Sequence, residues 1–243
     1  MLAIIGGSGL NQLSMATSGR NAVRTPYGEP SGPLVFGRIG RRDIVFLARH
    51  GEGHRFAPHE VNYRANLWAL KDAGAAEVLS IATVGGIRAT FTPGTLALPD
   101  QIIDYTWGRH ATYHEGPGAE VNHIDFTEPY SHALRSRVRE AARACGEKLV
   151  DGGVYATTQG PRLETAAEIN RLEHDGADIV GMTAMPEAAL AREISLEYAA
   201  IAVVANYAAG RGDAKRAVPL DKIAAVLEEA MGRVRRIIER LCA

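Results

Sequence analysis

Short apolar runs and helical patterns alternate along the chain. Residues 2–5 (Leu-Ala-Ile-Ile) form an unbroken apolar run that stops at Gly6-Gly7-Ser8-Gly9, the profile of a strand feeding a glycine turn. Similar runs predict strands over 44–48, ending in Arg49-His50-Gly51, and over 78–82, ending in Thr83-Val84-Gly85-Gly86. Further strands are predicted over 154–157, 178–182 and 198–205, the last ending at Asn206. Helical patterns cover 62–73 and 164–174, and Pro186 opens a helix over 187–194, since proline is tolerated in a first turn. A last helix begins near Asp221, a good cap. Along it Ile223, Val226, Leu227, Ala230, Val234, Ile237, Ile238 and Leu241 share one face, a stripe that reads as core packing.

Strands alternating with helices imply an α/β sheet protein. There is no internal repeat and no linker, and 243 residues suit one domain over 1–243. Ligands of open α/β sheets bind at the carboxyl ends of the strands. Those ends gather Ser8, Arg49, His50, Thr83, Thr183 and Asn206, so small donors, a guanidinium and an imidazole converge in a set suited to an anion.

Composition narrows the partners. With 27 basic and 28 acidic side chains the formal charge is −1, which supplies no footprint for nucleic acid and no attraction to anionic lipid. The longest apolar stretch, 198–205, is far short of the roughly 20 residues a bilayer requires. The start, Met-Leu-Ala-Ile-Ile-Gly-Gly, shows no basic leader, and Cys145 and Cys242 have no metal or redox spacing. The expectation is a cytoplasmic protein.

The individual motifs leave alternatives open. Gly6-Gly7-Ser8-Gly9 lets backbone N–H groups approach an oxoanion, or serves only as a turn. It is not a dinucleotide fingerprint, because Gln12 stands where the third glycine belongs, and no Gly-Lys-Ser/Thr of a phosphate-binding Walker loop occurs. Arg49 offers a planar fork to phosphate or pairs with a carboxylate. His50, His54 and His59 are interrupted by Gly51, Gly53 and Pro58, and His110 and His114 have no third ligand nearby, so no metal is expected. Gly160-Pro161-Arg162-Leu163-Glu164-Thr165 and Gly181-Met182-Thr183-Ala184-Met185-Pro186-Glu187 each read as a loop entering a helix.

Taken in order, Gly-Gly-Ser-Gly-Leu, Arg-His-Gly, Val-Asn-Tyr-Arg-Ala-Asn-Leu-Trp-Ala-Leu, Thr-Gln-Gly-Pro-Arg-Leu-Glu-Thr and Gly-Met-Thr-Ala-Met-Pro-Glu-Ala resemble the trimeric purine nucleoside phosphorylase and methylthioadenosine phosphorylase family over roughly residues 2–240. The resemblance implies a nucleoside phosphorylase-like α/β fold, a central mixed sheet flanked by helices, assembled as a homotrimer. It implies phosphorolysis with inorganic phosphate as a substrate and no metal or organic cofactor. Phosphate would be held by Ser8, Arg49, His50, Ala82, Thr83 and Thr183, with Met182 against the ribose. Asn206 would act at purine N7, so Asn206 and His50 are the catalytic candidates.

Three positions sharpen the substrate that the resemblance implies. Relatives that take 6-aminopurines carry aspartates where Asn206 and Ala208 stand, and an amide can donate to O6 while accepting from N7–H. Glu164 would accept N1–H of a 6-oxopurine but would oppose the N1 lone pair of adenine. Leu220, in place of a histidine that bonds a 5′-hydroxyl, would form with Ile223 an apolar pocket for a methylthio group, closed by His123 of a neighbouring subunit. Leu163 replaces a phenylalanine that stacks on the nucleoside, and the loop over 209–213 has no assigned role. Within the family the chain most resembles bacterial members that act on S-methyl-5′-thioinosine, releasing hypoxanthine and 5-methylthioribose 1-phosphate. A methylthioadenosine phosphorylase, a general 6-oxopurine nucleoside phosphorylase and, more remotely, a non-catalytic purine-binding module are the alternatives.

Overall fold

Four strands rich in Val, Ile, Leu and Ala with few interior charges, β1 (Leu2–Gly6), β4 (Arg42–Ala48), β5 (Glu77–Gly86) and β11 (Glu197–Tyr207), run parallel in the order β4-β1-β5-β11. Strands apolar on both faces must be covered on both, and helices do this. This computed structural model describes residues 1–7, 15–218 and 220–243, with the side chains of 220–222 outside the description. On one face α2 (His132–Ala144) and α5 (Leu220–Leu241) pack Leu134, Val138, Val234, Ile237 and Ile238 against Leu2, Ile4, Leu79 and Ile201. On the other, α1 (Tyr63–Asp72) and α4 (Ala184–Glu193) pack Leu67, Leu70 and Leu190 against Ile5, Val45, Leu47 and Val78.

The sheet branches at β5. Its first half pairs with β1 through residues 77–80, and on the same edge Gly85 and Gly86 pair antiparallel with β10 (Ile179–Gly181). From there the sheet continues through β9 (Val154–Thr157) to β7 (Gln101–Asp104). The other edge of β5 pairs with β11 throughout, with a bulge between Val204 and Asn206. Antiparallel β2 (Ala16–Asn21) and β3 (Leu34–Ile39) extend the sheet beyond β4, while β6 (Leu96–Leu98) pairs with β11 and β8 (Val150–Asp151) pairs with β6. α3 (Ala166–His174) lies over β9 and β10 through Ile169 and Leu172.

Several expectations change. β5 does not stop at Ala82: pairing with β11 and β10 carries it to Gly86, so Thr83 lies inside a strand rather than at its end. The third helix starts at Ala166 instead of residue 164, because Thr165 caps it in a reciprocal box with Glu168. Glu164 is thereby left in the preceding loop. Met185 is non-helical (φ −116°, ψ 136°), so regular helix begins at Pro186 as expected. β2, β3, β6, β7, β8 and α2 lie outside the elements that the apolar pattern predicts. β2 is almost wholly exposed, and β6 and β8 are three and two residues long. Among the described residues no helix is long and apolar enough to cross a membrane.

Candidate active site

A cavity of about 470 Å³ opens at the carboxyl ends of β1, β4, β10 and β11 and beside the outer half of β5. Gly7, Arg49, His50, Thr83, Thr183, Met182, Leu163, Glu164, Asn206, Ala208 and Ile223 all line it. Ser8 lies outside the described residues, as does the side chain of Leu220. Ala82 is buried in the core with Tyr155 and does not line the cavity. His123 is exposed and does not line the cavity of its own chain.

The anion end is built around Arg49, which is 2% exposed. Its Nε donates to Glu187 Oε2 (2.7 Å), Nη2 to Glu187 Oε1 (3.0 Å) and Ser80 Oγ (2.6 Å), and Nη1 to the Ile81 carbonyl (3.0 Å). Four of its five N–H donors are thus occupied, and among the described residues one Nη1 proton has no protein partner. The two readings of Arg49 therefore combine: it pairs with a carboxylate, but a buried one, while facing the cavity. Burial pulls its pKa down, and the Glu187 charge more than offsets this, so the guanidinium stays protonated. Glu187, 0% exposed, also accepts from Ser80 (2.8 Å) and Tyr198 (2.8 Å). Sequence reasoning gave Glu187 no role, although a carboxylate within the apolar stretch Ala184–Ala191 is a signal that it has a buried partner.

His50 follows directly. Its Nδ1 lies 2.9 Å from the Phe56 carbonyl, which can only accept, so Nδ1 carries the proton and Nε2 presents a lone pair. Burial, then the Arg49 charge, push its pKa down to about 4, with the Phe56 bond opposing. The ring stacks on His54 (4.8 Å between centroids), which also lines the cavity. Thr183 is 7% exposed at the start of α4, and its hydroxyl makes no capping bond.

The opposite end is carried by two loops in close contact. Gly160 has φ +62°, and a Cβ there would stand 2.5 Å from Met182 Sδ, so glycine alone lets the loop that carries Glu164 lie against Met182. Gly181 is fixed likewise, since a Cβ would meet the Tyr155 hydroxyl at 2.2 Å. Glu164 Oε1 accepts from Thr158 Oγ1 (2.6 Å), leaving Oε2 for a ligand. Asn206 Nδ2 donates to the Tyr207 carbonyl (2.7 Å), leaving its Oδ1 and a second N–H. Leu163 is 45% exposed at the mouth.

The remaining wall is apolar: Phe56, Ala57, Pro58, Val218, Ile223, Leu227 and Met231. The stripe on α5 is therefore more than core packing, because its first turns face the cavity and its later turns the core. The loop over 209–217 is tied to α3 by Arg211 and Glu173 (2.7 Å). Among the described residues no group of His, Cys, Asp or Glu could hold a metal ion.

The defining sequence features of the phosphorylase superfamily match residues 1–243. The chain belongs to that superfamily. This phosphorylase is 57% identical, over 88% of its length and 86% of the relative's, to a protein of Xanthomonas campestris named "Probable S-methyl-5′-thioinosine phosphorylase". A Pseudomonas syringae protein of the same name is 51% identical over 98% of the phosphorylase and 97% of the relative. Among solved structures, methylthioadenosine phosphorylase from Schistosoma mansoni in complex with adenine is 34% identical, with a TM-score of 0.93 over 99% of this chain and 90% of that one.

Two outcomes follow from the buried groups. Glu187→Ala leaves Arg49 buried without its counter-charge and should cost about 3–5 kcal/mol in urea unfolding; a loss under about 1 kcal/mol would mean that water or another carboxylate replaces it. His50 resists protonation until about pH 4, whereas its ordinary value is 6.5. Its contribution to stability is complete above pH 6.5 and is lost as pH falls towards about 4, because the unfolded chain takes up the proton first. Melting temperature should therefore fall over that window, and His50→Asn should flatten the fall.

Proposed function

We propose that this phosphorylase cleaves S-methyl-5′-thioinosine with inorganic phosphate, giving hypoxanthine and 5-methylthioribose 1-phosphate. The observation that carries the reading is a single cavity joining a fixed cation (Arg49) to a carboxylate–amide pair (Glu164 and Asn206), with an apolar wall beside them. A phosphate at Arg49, His50, Thr83 and Thr183 would lie next to the sugar held against Met182. Hydrogen phosphate carries one P–OH, which the lone pair of neutral His50 Nε2 can accept, while the free Arg49 N–H and the Thr hydroxyls donate to the other oxygens.

In the reaction the C1′–N9 bond breaks, its electron pair moves into the purine, and a phosphate oxygen bonds to C1′. The sugar passes through a cationic state that the adjacent phosphate dianion stabilises and is already placed to attack. Negative charge grows on the purine and is relieved by a proton taken up at N7, matched by the P–OH proton that hydrogen phosphate gives up on becoming the ester; Asn206 Oδ1 can accept the N7–H bond and its free N–H can meet O6. Glu164 Oε2 accepts N1–H of hypoxanthine. Adenine would place a lone pair there, an opposed pair of acceptors that costs about 1–3 kcal/mol, or one to two orders of magnitude.

Val218, Ile223 and Leu227 support a methylthio group in preference to a hydroxyl, which would be desolvated without a partner. The reading includes no metal or cofactor, a homotrimer in which His123 reaches a neighbour's site, and a cytoplasmic location. It is tested by phosphate-dependent base release from S-methyl-5′-thioinosine, S-methyl-5′-thioadenosine and inosine, side by side. The first should have the highest kcat/KM, and Glu164→Gln should weaken both 6-oxopurine substrates far more than it shifts the KM for phosphate. Preference for the adenine nucleoside would overturn the base assignment, preference for inosine would overturn the apolar pocket, and no turnover would leave a purine-binding module.

A further inference from the structure

Arg109 lies in the segment after β7, far from the sequence motifs of the site, yet its guanidinium hydrogen-bonds both of the site's loops. Nη1 donates to the carbonyls of Met182 (2.8 Å) and Met185 (2.6 Å), and Nη2 to those of Thr158 (3.3 Å) and Gln159 (2.8 Å). Nε donates to Gln159 Oε1 (3.1 Å), and the Tyr63 hydroxyl is 3.4 Å from Nη1. The four carbonyls belong to two loops. One leads from β9 to Glu164, and the other holds Met182 and Thr183 at the end of β10.

We propose that Arg109 is a positioning residue that sets the spacing between the base-binding and sugar–phosphate halves of the site. The inference rests on the roles given above to Glu164, Met182 and Thr183. A planar guanidinium presents donors in a fixed fork, so one side chain can hold carbonyls on both loops in one plane. A lysine ammonium is a point donor and cannot span both pairs. Unlike Arg49, Arg109 meets no carboxylate in these contacts, only carbonyls, an amide and a phenol, and burial lowers its pKa. The charge is thus spent on backbone geometry rather than on an ion pair. The main backbone tie between the loops besides it is Thr158 N–H to the Gly181 carbonyl (2.8 Å).

Misplacing one half relative to the other penalises the step that needs both, and about 1 Å is enough to cost on the order of a hundredfold in rate. Each half alone is little changed. Arg109→Lys and Arg109→Ala should therefore lower kcat by at least about tenfold. Phosphate alone and hypoxanthine alone, titrated calorimetrically, should keep Kd values within about threefold of the parent, since neither touches both loops. Methylguanidine should restore part of the kcat of Arg109→Ala in a saturable way and do nothing for the parent enzyme. Parent-like kcat in Arg109→Lys overturns the proposal. So do losses of both Kd values in step with kcat without rescue, which mean that Arg109 only holds the fold. If the Arg109 variants are fully active while Glu164→Gln loses 6-oxopurine turnover, this inference fails and the functional reading stands. If Glu164→Gln is also unaffected, the functional reading itself has failed.

Discussion

The buried ion pair between Arg49 and Glu187 is the constraint on which the site depends. Moving two charges out of water is costly, and such a pair persists only when its remaining hydrogen-bonding capacity is met. Here Ser80, Tyr198 and the Ile81 carbonyl meet it. The partners come from the end of β4, from β5, from α4 and from β11, so the network fastens the cavity floor to both the sheet and one helix layer. A guanidinium held in this way cannot swing out to solvent, and its charge faces the cavity before any anion arrives. That is electrostatic preorganisation in a concrete form.

The branching of β5 gives the network its setting. Because β1 leaves its edge at residue 80 and β10 joins the same edge at Gly85, the strand ends form a step rather than a line. Arg49 and His50 lie on the lower side of the step, and Met182 and Thr183 on the upper side. Thr83 lies between them, outward-facing because strand alternation exposes it between buried Ala82 and Val84. The bulge in β11 falls just before Asn206, where a change of register alters the direction of a side chain.

Much of this was legible in the sequence. The apolar runs located the parallel strands, and of the polar residues expected at their ends Arg49, His50, Thr83, Thr183 and Asn206 line one cavity, Ser8 lying outside the described residues. What was missed had physical reasons. β5 was cut short because Thr83 and two glycines look like a strand ending, although pairing on both edges sustains the strand. The first turns of α5 were read as core because a helical stripe does not reveal whether it faces side chains or a cavity. α2 carries Leu134, Val138, Ala141 and Ala142 at helical spacing, a pattern that was present but diluted by arginines. Glu187 and Arg109 could not be placed from local pattern, since their partners lie 138 positions and up to 76 positions away.

The central claim is that Arg49, fixed by Glu187, and His50, with its Nε2 lone pair exposed, form the phosphate end of a cavity whose other end reads a 6-oxopurine. A crystal structure with phosphate and hypoxanthine bound together tests this most directly. The account predicts phosphate within hydrogen-bond distance of Arg49 Nη1, His50 Nε2 and the Thr183 hydroxyl, with hypoxanthine N1 on Glu164 and N7 on Asn206. Phosphate bound away from Arg49, or hypoxanthine seated with neither Glu164 nor Asn206 at its edge, would contradict it.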